Sequence, residues 1–205
     1  MSGRLKGWHE MTIGDVADNS SGSGFPKDRQ GKNFGDYPFA KVSDISRAVA
    51  ESGGRLSTAA NYVDVADLKT LGARPVPAGS TVFAKIGEAL RLNRRAIAEV
   101  DVILDNNCMA LTPAMDRVIP RYLFWFMQTV DLSPFAVATS VPSVRRGDVA
   151  SLSLFIPDLA EQRRIVAKLD SLTGRIARTR KNWGEFQSSF RNIARRSLPP
   201  RSVES

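Results

Sequence analysis

The chain has few of the residues on which most enzyme active sites depend. Its 205 residues include one histidine, His9, and one cysteine, Cys108. These counts argue against a histidine-based catalytic triad and leave too few ligands for a Cys/His zinc site. No Walker A sequence occurs, and Gly22 and Gly24 lack the third glycine of a dinucleotide-binding loop because position 27 is a lysine. We therefore expect a protein that binds rather than catalyses, without a metal or cofactor of its own.

Other absences bear on the cellular compartment. One cysteine permits no internal disulfide, as is usual in a reducing cytoplasm. The first ten residues, MSGRLKGWHE, lack the apolar segment of a signal peptide, and no transmembrane span is evident. We expect a cytoplasmic protein with no membrane partner.

The charge is strongly basic and unevenly distributed. The net charge is +8 and the calculated pI is about 10.1. Residues 161–196 contain ten arginines or lysines and three acidic residues, so this segment alone carries a net +7. The excess favours an acidic partner, either DNA phosphates or an acidic protein surface, although a solvated helix face would also account for a run of charge.

The C-terminal part of the chain predicts one long helix. Asp158 and Glu161 have the spacing of a capping box, and Pro199 and Pro200 end the helix. Between them, positions recur at steps of four and three over about four heptads, which is the spacing that packs two helices together. These positions are Ile165, Leu169, Leu172, Ile176, Thr179, Trp183, Phe186, Phe190 and Ile193.

This heptad seam predicts a partner for the helix. The helix would be roughly 55 Å long, whereas a domain of about 150 residues is about 38 Å across. The seam is aliphatic in its first half and aromatic in its second, so two antiparallel copies would set small side chains against large ones. We expect an antiparallel homodimer, with packing onto its own domain or onto a different protein as the alternatives.

The preceding residues predict an α+β domain with a mixed sheet, because strand-like and helix-like segments alternate irregularly. A buried helix is expected over 120–130, polar loops over 20–33 and 141–148, and a glycine-rich excursion over 46–62. Strands are expected to begin at residue 37 and to occupy 81–85, 96–98, 102–104, 109–112 and 152–156.

Several segments together resemble the specificity subunit of type I restriction-modification systems. They are YPFAKVSDI (37–45), VPAGSTVFAKIGE (76–88), NRRAI (93–97), DNNCMALTP (105–113), RYLFWFM (121–127), VPSVRRGDV (141–149) and IPDLAEQRRIVAKLDSL (156–172). The resemblance covers about residues 8–180. It implies a target-recognition domain over 1–157 and a long spacer helix over 158–197, with a tail over 198–205. A full subunit has two such units in tandem, so this chain is similar to a half-subunit.

The resemblance also implies a function. Each recognition domain would read one half of a bipartite site in double-stranded DNA, and the paired helices would set the distance between the halves. Modification subunits would carry S-adenosylmethionine, and a restriction subunit, where present, would use ATP, so this chain would be non-catalytic. A twofold homodimer predicts an inverted-repeat site. A stand-alone dimeric DNA-binding regulator and a decoy that binds modification subunits are the alternatives.

Residue type and loop position select the candidate contacts, because Arg, Lys, Gln and Ser side chains donate hydrogen bonds to bases and phosphates. The DNA-binding candidates are Lys27, Arg29, Gln30, Lys32, Lys41, Ser43, Lys85, Arg91, Arg94, Arg95, Ser143, Arg145 and Arg146. The candidates for docking a modification subunit are Gln162, Arg163 and Lys168, which lie off the seam.

Overall fold

The computed structural model describes residues 7–136 and 142–197, with side chains described as far as Thr179 except that of Ala177. The chain divides into two compact units, Met1–Arg163 and Arg164–Ser205. The predicted tail over 198–205 and part of the predicted loop over 141–148 lie outside the described residues.

The strands and helices alternate irregularly along the described part of the chain. The strands are β1 (His9–Thr12), β2 (Ala17–Ser21), β3 (Tyr37–Ala40), β4 (Arg55–Leu56), β5 (Asn61–Val63), β6 (Thr81–Ala84), β7 (Arg95–Ala98), β8 (Ile103–Leu104), β9 (Cys108–Pro113) and β10 (Ser153–Ile156). The α-helices are α1 (Ile13–Val16), α2 (Val42–Glu51), α3 (Val65–Leu71), α4 (Gly87–Arg91), α5 (Pro120–Thr129), α6 (Arg146–Ala150) and α7 (Leu159–Ser197).

The strands form three sheets of mixed direction. The largest has the order β2-β9-β6-β7-β4, in which only the β4–β7 pair is parallel. A second sheet has the order β5-β3-β8, with β3 and β8 parallel, and β1 pairs with β10 in a third. The expectation of a domain with helices and mixed sheets is confirmed.

The core lies between the largest sheet and the two helices α2 and α5. All four residues of β6 and of β7 are buried, so neither strand alternates between a buried and an exposed face, although each begins with a polar residue. Helix α5 starts with Pro120 at its first turn, where a missing N–H is tolerated, and buries Leu123, Phe124 and Met127. Each large apolar side chain buried in this way contributes about 1.5–3 kcal/mol.

Several segments differ from the sequence prediction. Residues 146–148 of the expected second loop belong to α6, and residues 20–21 of the expected first loop belong to β2. The excursion expected over 46–62 instead contains most of α2 and the strands β4 and β5, because β4 acquires its partner only when it pairs with β7, some forty residues further along the chain. Helix α3 was not predicted, although Asp64 and Asp67 form a capping box at its start. Short strands with distant partners have little local signal.

Helix α7 begins where the capping residues indicate. The Glu161 N–H donates to Asp158 Oδ1 at 2.8 Å, which satisfies one of the free donors of the first turn. Within the second unit, the seam residues Leu172 and Ile176 are 46% and 54% exposed. The side chains of Trp183, Phe186, Phe190 and Ile193 lie outside those described. Among the residues described, no helix combines the length and the apolar character that a membrane crossing requires.

Candidate nucleic-acid interface

Several loops of the first unit meet at one end of its sheets, which we call the loop end. The strand register defines it, because β2, β6 and β8 finish where β7 and β9 start. The paired residues at this end are Ser21 with Met109, Ala84 with Cys108, Phe83 with Arg95, and Ala40 with Leu104. The Ser23 N–H, just after β2, donates to Leu104 O of β8 at 2.9 Å, so the two larger sheets join here, and the Asp105 N–H donates to Ala40 O at 2.9 Å within the smaller of them.

Backbone hydrogen bonds hold Lys85 and Ser143 in neighbouring loops at this end. The Lys85 N–H donates to Asn107 O at 2.9 Å, and Lys85 O accepts from the Val144 N–H at 3.0 Å. Ile86 and Ser143 form an isolated antiparallel bridge. Two predicted DNA contacts that lie almost sixty residues apart in sequence are therefore brought together.

A shallow cleft of about 470 Å³ connects helix α2 with the loop that follows β6. Its floor is apolar, and polar side chains stand at its rim. The lining residues are Val42, Ser46, Ile86, Gly87, Glu88, Ala89, Leu92 and Arg94. Since Lys41 and Ser43 flank Val42 in sequence, the start of α2 adds two further predicted contacts to the same end of the domain.

The turn that presents Arg94 is held in one conformation. Asn93 has φ 51°, a left-handed conformation that asparagine tolerates better than most residues. Its side-chain N–H₂ donates to Gln128 O of α5 at 3.1 Å, which fixes the turn against a buried helix. Arg94 is therefore half-buried at a fixed position rather than on a loose loop.

The cations of the predicted first loop are largely engaged within the protein. Arg29 Nη1 donates to Asp67 Oδ1 at 2.9 Å, and the Lys32 ammonium pairs with the Asp64 carboxylate. That hydrogen bond from Lys32 lowers the pKa of Asp64 below its ordinary value. These contacts attach the loop to α3.

Lys41 and Gln30 bond to each other in the same region. Lys41 Nζ donates to Gln30 Oε1 at 2.5 Å and lies 5.1 Å from the centre of the Phe25 ring. The Phe25 ring in turn stacks on Phe39 at 3.8 Å. Of the candidates in the first loop, only Lys27 has no side-chain hydrogen bond or ion pair with another described residue.

The remaining predicted cations make no such contacts with the described part of the protein. Within residues 7–136 and 142–197, no side-chain hydrogen bond or ion pair engages Lys85, Arg91, Arg94, Arg145 or Arg146. Arg91, Arg145 and Arg146 are exposed, and Lys85 and Arg94 are half-buried. These side chains can therefore donate to an external ligand without breaking a hydrogen bond or ion pair inside the described protein.

Arg95 is not at the surface, so its assignment as a DNA contact is corrected. It is fully buried in β7, with its guanidinium 5.0 Å from the centre of the Phe83 ring. Nη1 donates to Arg94 O at 3.3 Å, and Nε and Nη2 have no partner among the described residues. Burial lowers the pKa of Arg95 to about 10, although the Asp131 carboxylate opposes the shift. Two consecutive arginines at the start of a strand point to opposite faces, which the sequence prediction did not separate.

Gln162 is likewise buried, so its assignment to partner docking is corrected. Its Nε2 donates to Arg117 O at 2.9 Å and to Pro157 O at 3.0 Å, and its Oε1 accepts from the Ile119 N–H at 3.0 Å. These bonds tie the first turn of α7 to the residues before α5. Arg163 and Lys168 are exposed, and their role in docking stays a prediction.

A second cleft, of about 580 Å³, lies beside β2, and sequence reasoning did not identify it. Arg146 was a predicted contact, whereas Arg74 and the serines between 20 and 23 were assigned no role. The lining residues are Asp18, Ser20, Ser21, Gly22, Ser23, Gly72, Arg74, Pro75, Val76, Pro77, Leu104, Thr112 and Arg146. The sequence SSGS at 20–23 could have indicated a binding surface lined by hydroxyl groups.

The chemistry available in the described residues is hydrogen bonding and charge. No group of three or more His, Cys, Asp or Glu side chains is placed there to hold a metal ion. Cys108 is buried, and burial together with Asp105 raises the pKa of its thiol, so it is not a reactive nucleophile. Unpaired Lys and Arg side chains and Ser hydroxyls at the loop end suit the acceptor groups of base edges and phosphates.

Comparison with known proteins supports this picture at the level of fold and family. The sequence model of the family described as "Type I restriction modification DNA specificity domain" matches residues 5–182. No curated protein sequence matches the chain.

Three solved structures share the fold. One, from a study of complex assembly and conformational transition of the type I R-M system, has a TM-score of 0.70 and 16% identity over 92% of this chain and 44% of that one. The HsdS subunit from Thermoanaerobacter tengcongensis has a TM-score of 0.64 and 17% identity over 87% of this chain and 40% of its own. The type I restriction-modification system S subunit from M. genitalium has a TM-score of 0.57 and 12% identity, covering 87% and 42%.

This chain therefore spans less than half the length of the solved structures it resembles. The family match covers most of the chain. The chain belongs to the type I restriction modification DNA specificity domain family.

Proposed function

We propose that this chain is the sequence-reading component of a type I restriction-modification complex. The observation that supports this best is the loop end, where donors from separate loops converge on a rigid sheet and have no partner within the described protein. A binding surface built this way is preorganised, so little ordering would be needed when DNA binds. The family match supplies the class of ligand.

The donors at the loop end divide into two roles in this proposal. Base edges in the major groove are read by Lys85, Arg94, Ser43 and Ser143, which line or flank the shallow cleft between α2 and the loop after β6. The exposed cations Lys27, Arg91, Arg145 and Arg146 contact phosphates and position the domain. Arg29, Gln30, Lys32 and Lys41 hold the first loop in place and act on DNA only indirectly.

In this proposal the catalytic activities belong to partner subunits. Modification subunits bind S-adenosylmethionine and methylate the DNA, and a restriction subunit, where one is present, uses ATP. Arg163 and Lys168, both exposed, are the proposed docking residues on α7. The chain itself is non-catalytic and holds no cofactor.

We further propose that two copies pair through α7. The domain limits are then 1–157 for target recognition, 158–197 for the helix and 198–205 for a tail. The exposure of Leu172 and Ile176 supports this pairing, since burying each would contribute about 1.5–3 kcal/mol. An antiparallel homodimer would place two recognition domains about a twofold axis and read a bipartite inverted repeat.

Methylation of a duplex library tests the function. The full chain is mixed with a modification subunit and S-adenosylmethionine, and the methylated duplexes are sequenced. We expect a bipartite inverted repeat to be enriched. Tight specific binding by the chain alone without methylation would favour a regulator, and complex formation without DNA binding would favour a decoy.

Sedimentation tests the dimer separately. Leu172→Glu combined with Phe186→Glu should give a monomer in analytical ultracentrifugation with an unchanged circular dichroism spectrum of the domain. Ser171→Glu, which adds one charge next to the seam at an exposed position, is the control and should leave the dimer intact. An unchanged mass for the double variant contradicts pairing through α7.

A further inference from the structure

The second cleft, beside β2, contains unpaired positive charge on two different segments. Arg74 follows α3, and Arg146 opens α6. Both are exposed, and neither makes a side-chain hydrogen bond or ion pair with another residue that the structure describes. Asn19 Nδ2 donates to Arg146 O at 3.0 Å, which fixes the backbone of Arg146 beside β2.

The inner wall of the cleft is built closely around Gly22. A Cβ atom at this position would lie 2.2 Å from both Asp105 O and Leu104 O, so only glycine fits. The approach places Ser20, Ser21 and Ser23 along the wall, and Ser23 Oγ is buried without a hydrogen-bond partner among the described residues. Hydroxyl donors and two guanidinium groups therefore line one continuous cleft.

The charge of the lining indicates that the cleft accepts an anion, and its position indicates which one. Two arginines and one aspartate, Asp18, give the lining a net charge of +1. This net positive charge attracts phosphate groups, and the position of the cleft, rather than its charge, favours a phosphodiester of the DNA backbone over a free phosphate ester. Ser23 and Leu104 belong to both the cleft and the loop end, so a strand that crosses the loop end can enter the cleft.

We propose that Arg74 and Arg146 bind a backbone phosphate of the DNA strand next to the bases that are read. This inference rests on the proposed function and extends it to a residue, Arg74, outside the sequence-predicted set. Contacts to phosphates set affinity and register but carry no sequence information. Arg74 thus acts on every duplex equally, in contrast to Arg94.

Salt titration of DNA binding tests the inference. The full chain with its modification subunits is titrated with the enriched duplex and with a scrambled duplex between 50 and 200 mM salt. Removing one phosphate-binding cation should reduce the slope of log K against log salt by about 0.9. Arg74→Ala should therefore weaken both duplexes by the same factor, and its deficit should shrink about threefold over this range of salt. Lys69→Ala removes an exposed cation of α3 that lies outside the cleft, and it is the matched control.

Neutral methylphosphonate linkages, placed one at a time in the DNA, identify the phosphate that Arg74 contacts. Methylphosphonate substitution at one position should weaken wild-type binding and should weaken Arg74→Ala binding by a smaller factor, because only Arg146 still contacts that phosphate. Wild-type affinity and slope for Arg74→Ala, with the control also unchanged, would overturn the inference while leaving the proposed function standing. Failure of the wild-type complex to bind any duplex would instead overturn the proposed function, and this inference with it.

Inorganic phosphate and pyrophosphate test the competing ligand class. Isothermal titration of the wild-type chain with each anion should show no saturable binding below millimolar concentration. Micromolar binding that Arg74→Ala abolishes, together with unchanged DNA binding, would assign the cleft to a free phosphorylated molecule and overturn the inference.

Discussion

The first basic loop and the loop end look alike in sequence but differ in structure. Both are short polar segments containing two or more cations. In the first loop, Arg29 and Lys32 are paired with Asp67 and Asp64, which belong to or cap α3. At the loop end, Lys85 and Arg94 make no ion pair with a described residue. The difference shows that a cluster of basic residues indicates a binding surface only when the fold leaves it without acidic neighbours.

The reason for the difference lies in α3. Its capping box requires acidic residues at 64 and 67, and the Asp64 N–H donates to Asp67 Oδ2 at 3.1 Å. Once β5 places these carboxylates beside the first loop, they attract its cations. Each such exposed pair contributes only about 0–1 kcal/mol to stability, yet it occupies the side chains that DNA would need.

Removing cations from each region should give the largest contrast. Lys85→Ala with Arg94→Ala should weaken binding of the enriched duplex by about 1–3 kcal/mol for each base that is no longer recognised. Arg29→Ala with Lys32→Ala should cost less than about 1 kcal/mol of affinity, because these side chains are already engaged. Fluorescence anisotropy on the full complex measures both. Equal reductions in affinity would remove the distinction between the two regions.

The adjacent residues Arg94 and Arg95 allow a comparison between an arginine that is available to a ligand and one that is buried in the core. Arg95→Met should raise the free energy of unfolding by about 1–4 kcal/mol, because an apolar side chain replaces a buried charge of which two nitrogens, Nε and Nη2, have no hydrogen-bond partner among the described residues. Arg94→Met should change it by no more than about 0.5 kcal/mol. Urea denaturation monitored by circular dichroism measures both.

The pH dependence of the Arg95→Met gain follows from the pKa of the guanidinium. Folding lowers the pKa of Arg95 from its ordinary value to about 10, so the folded state disfavours the charged form. The buried Arg95 charge therefore destabilises the folded state by its full amount below about pH 10, and this cost decreases only at higher pH. The gain in Arg95→Met should therefore be constant between pH 6 and 9, and a gain that varies across this range would contradict the assignment.

Freeing a paired cation should have a smaller effect in the opposite direction. Asp67→Asn keeps an oxygen for the Asp64 N–H but removes the charge that engages Arg29. We expect affinity for a scrambled duplex to rise slightly, by up to about 1 kcal/mol, with a similar or smaller decrease in stability. Asp28→Asn, which removes an exposed carboxylate from the same loop, serves as the comparison. Unchanged DNA binding in Asp67→Asn would mean that pairing does not mask Arg29.

The smallest expected effect concerns acid stability. Lys32 lowers the pKa of Asp64 below 3.8, so the pair stabilises the folded state above that value and loses this effect as the pH falls through the folded pKa. Lys32→Met should make the urea midpoint less dependent on pH below about 4. An acid limb identical to that of the wild type would show that the pair contributes nothing to folding.

Local features could be predicted from the sequence. The capping residues at 158 and 161, the regular apolar spacing and the two prolines at 199 and 200 give the long helix from its own residues. The positions of β6 and β9 and the burial of α5 were also predictable, because their apolar character does not depend on a distant partner, whereas the full burial of β6 was not predicted. The same holds for the family resemblance, whose segments coincide with these elements.

Which basic side chains are available to DNA could not be predicted. Arg95 and Gln162 are buried, and Arg29, Lys32 and Lys41 are engaged by residues that are distant or on another element. Arg74 gains a role only because the cleft along β2 brings it near Arg146. Charge, composition and helix spacing are properties of the sequence by itself, whereas the pairing of charges depends on distances of a few ångströms that only the tertiary structure determines.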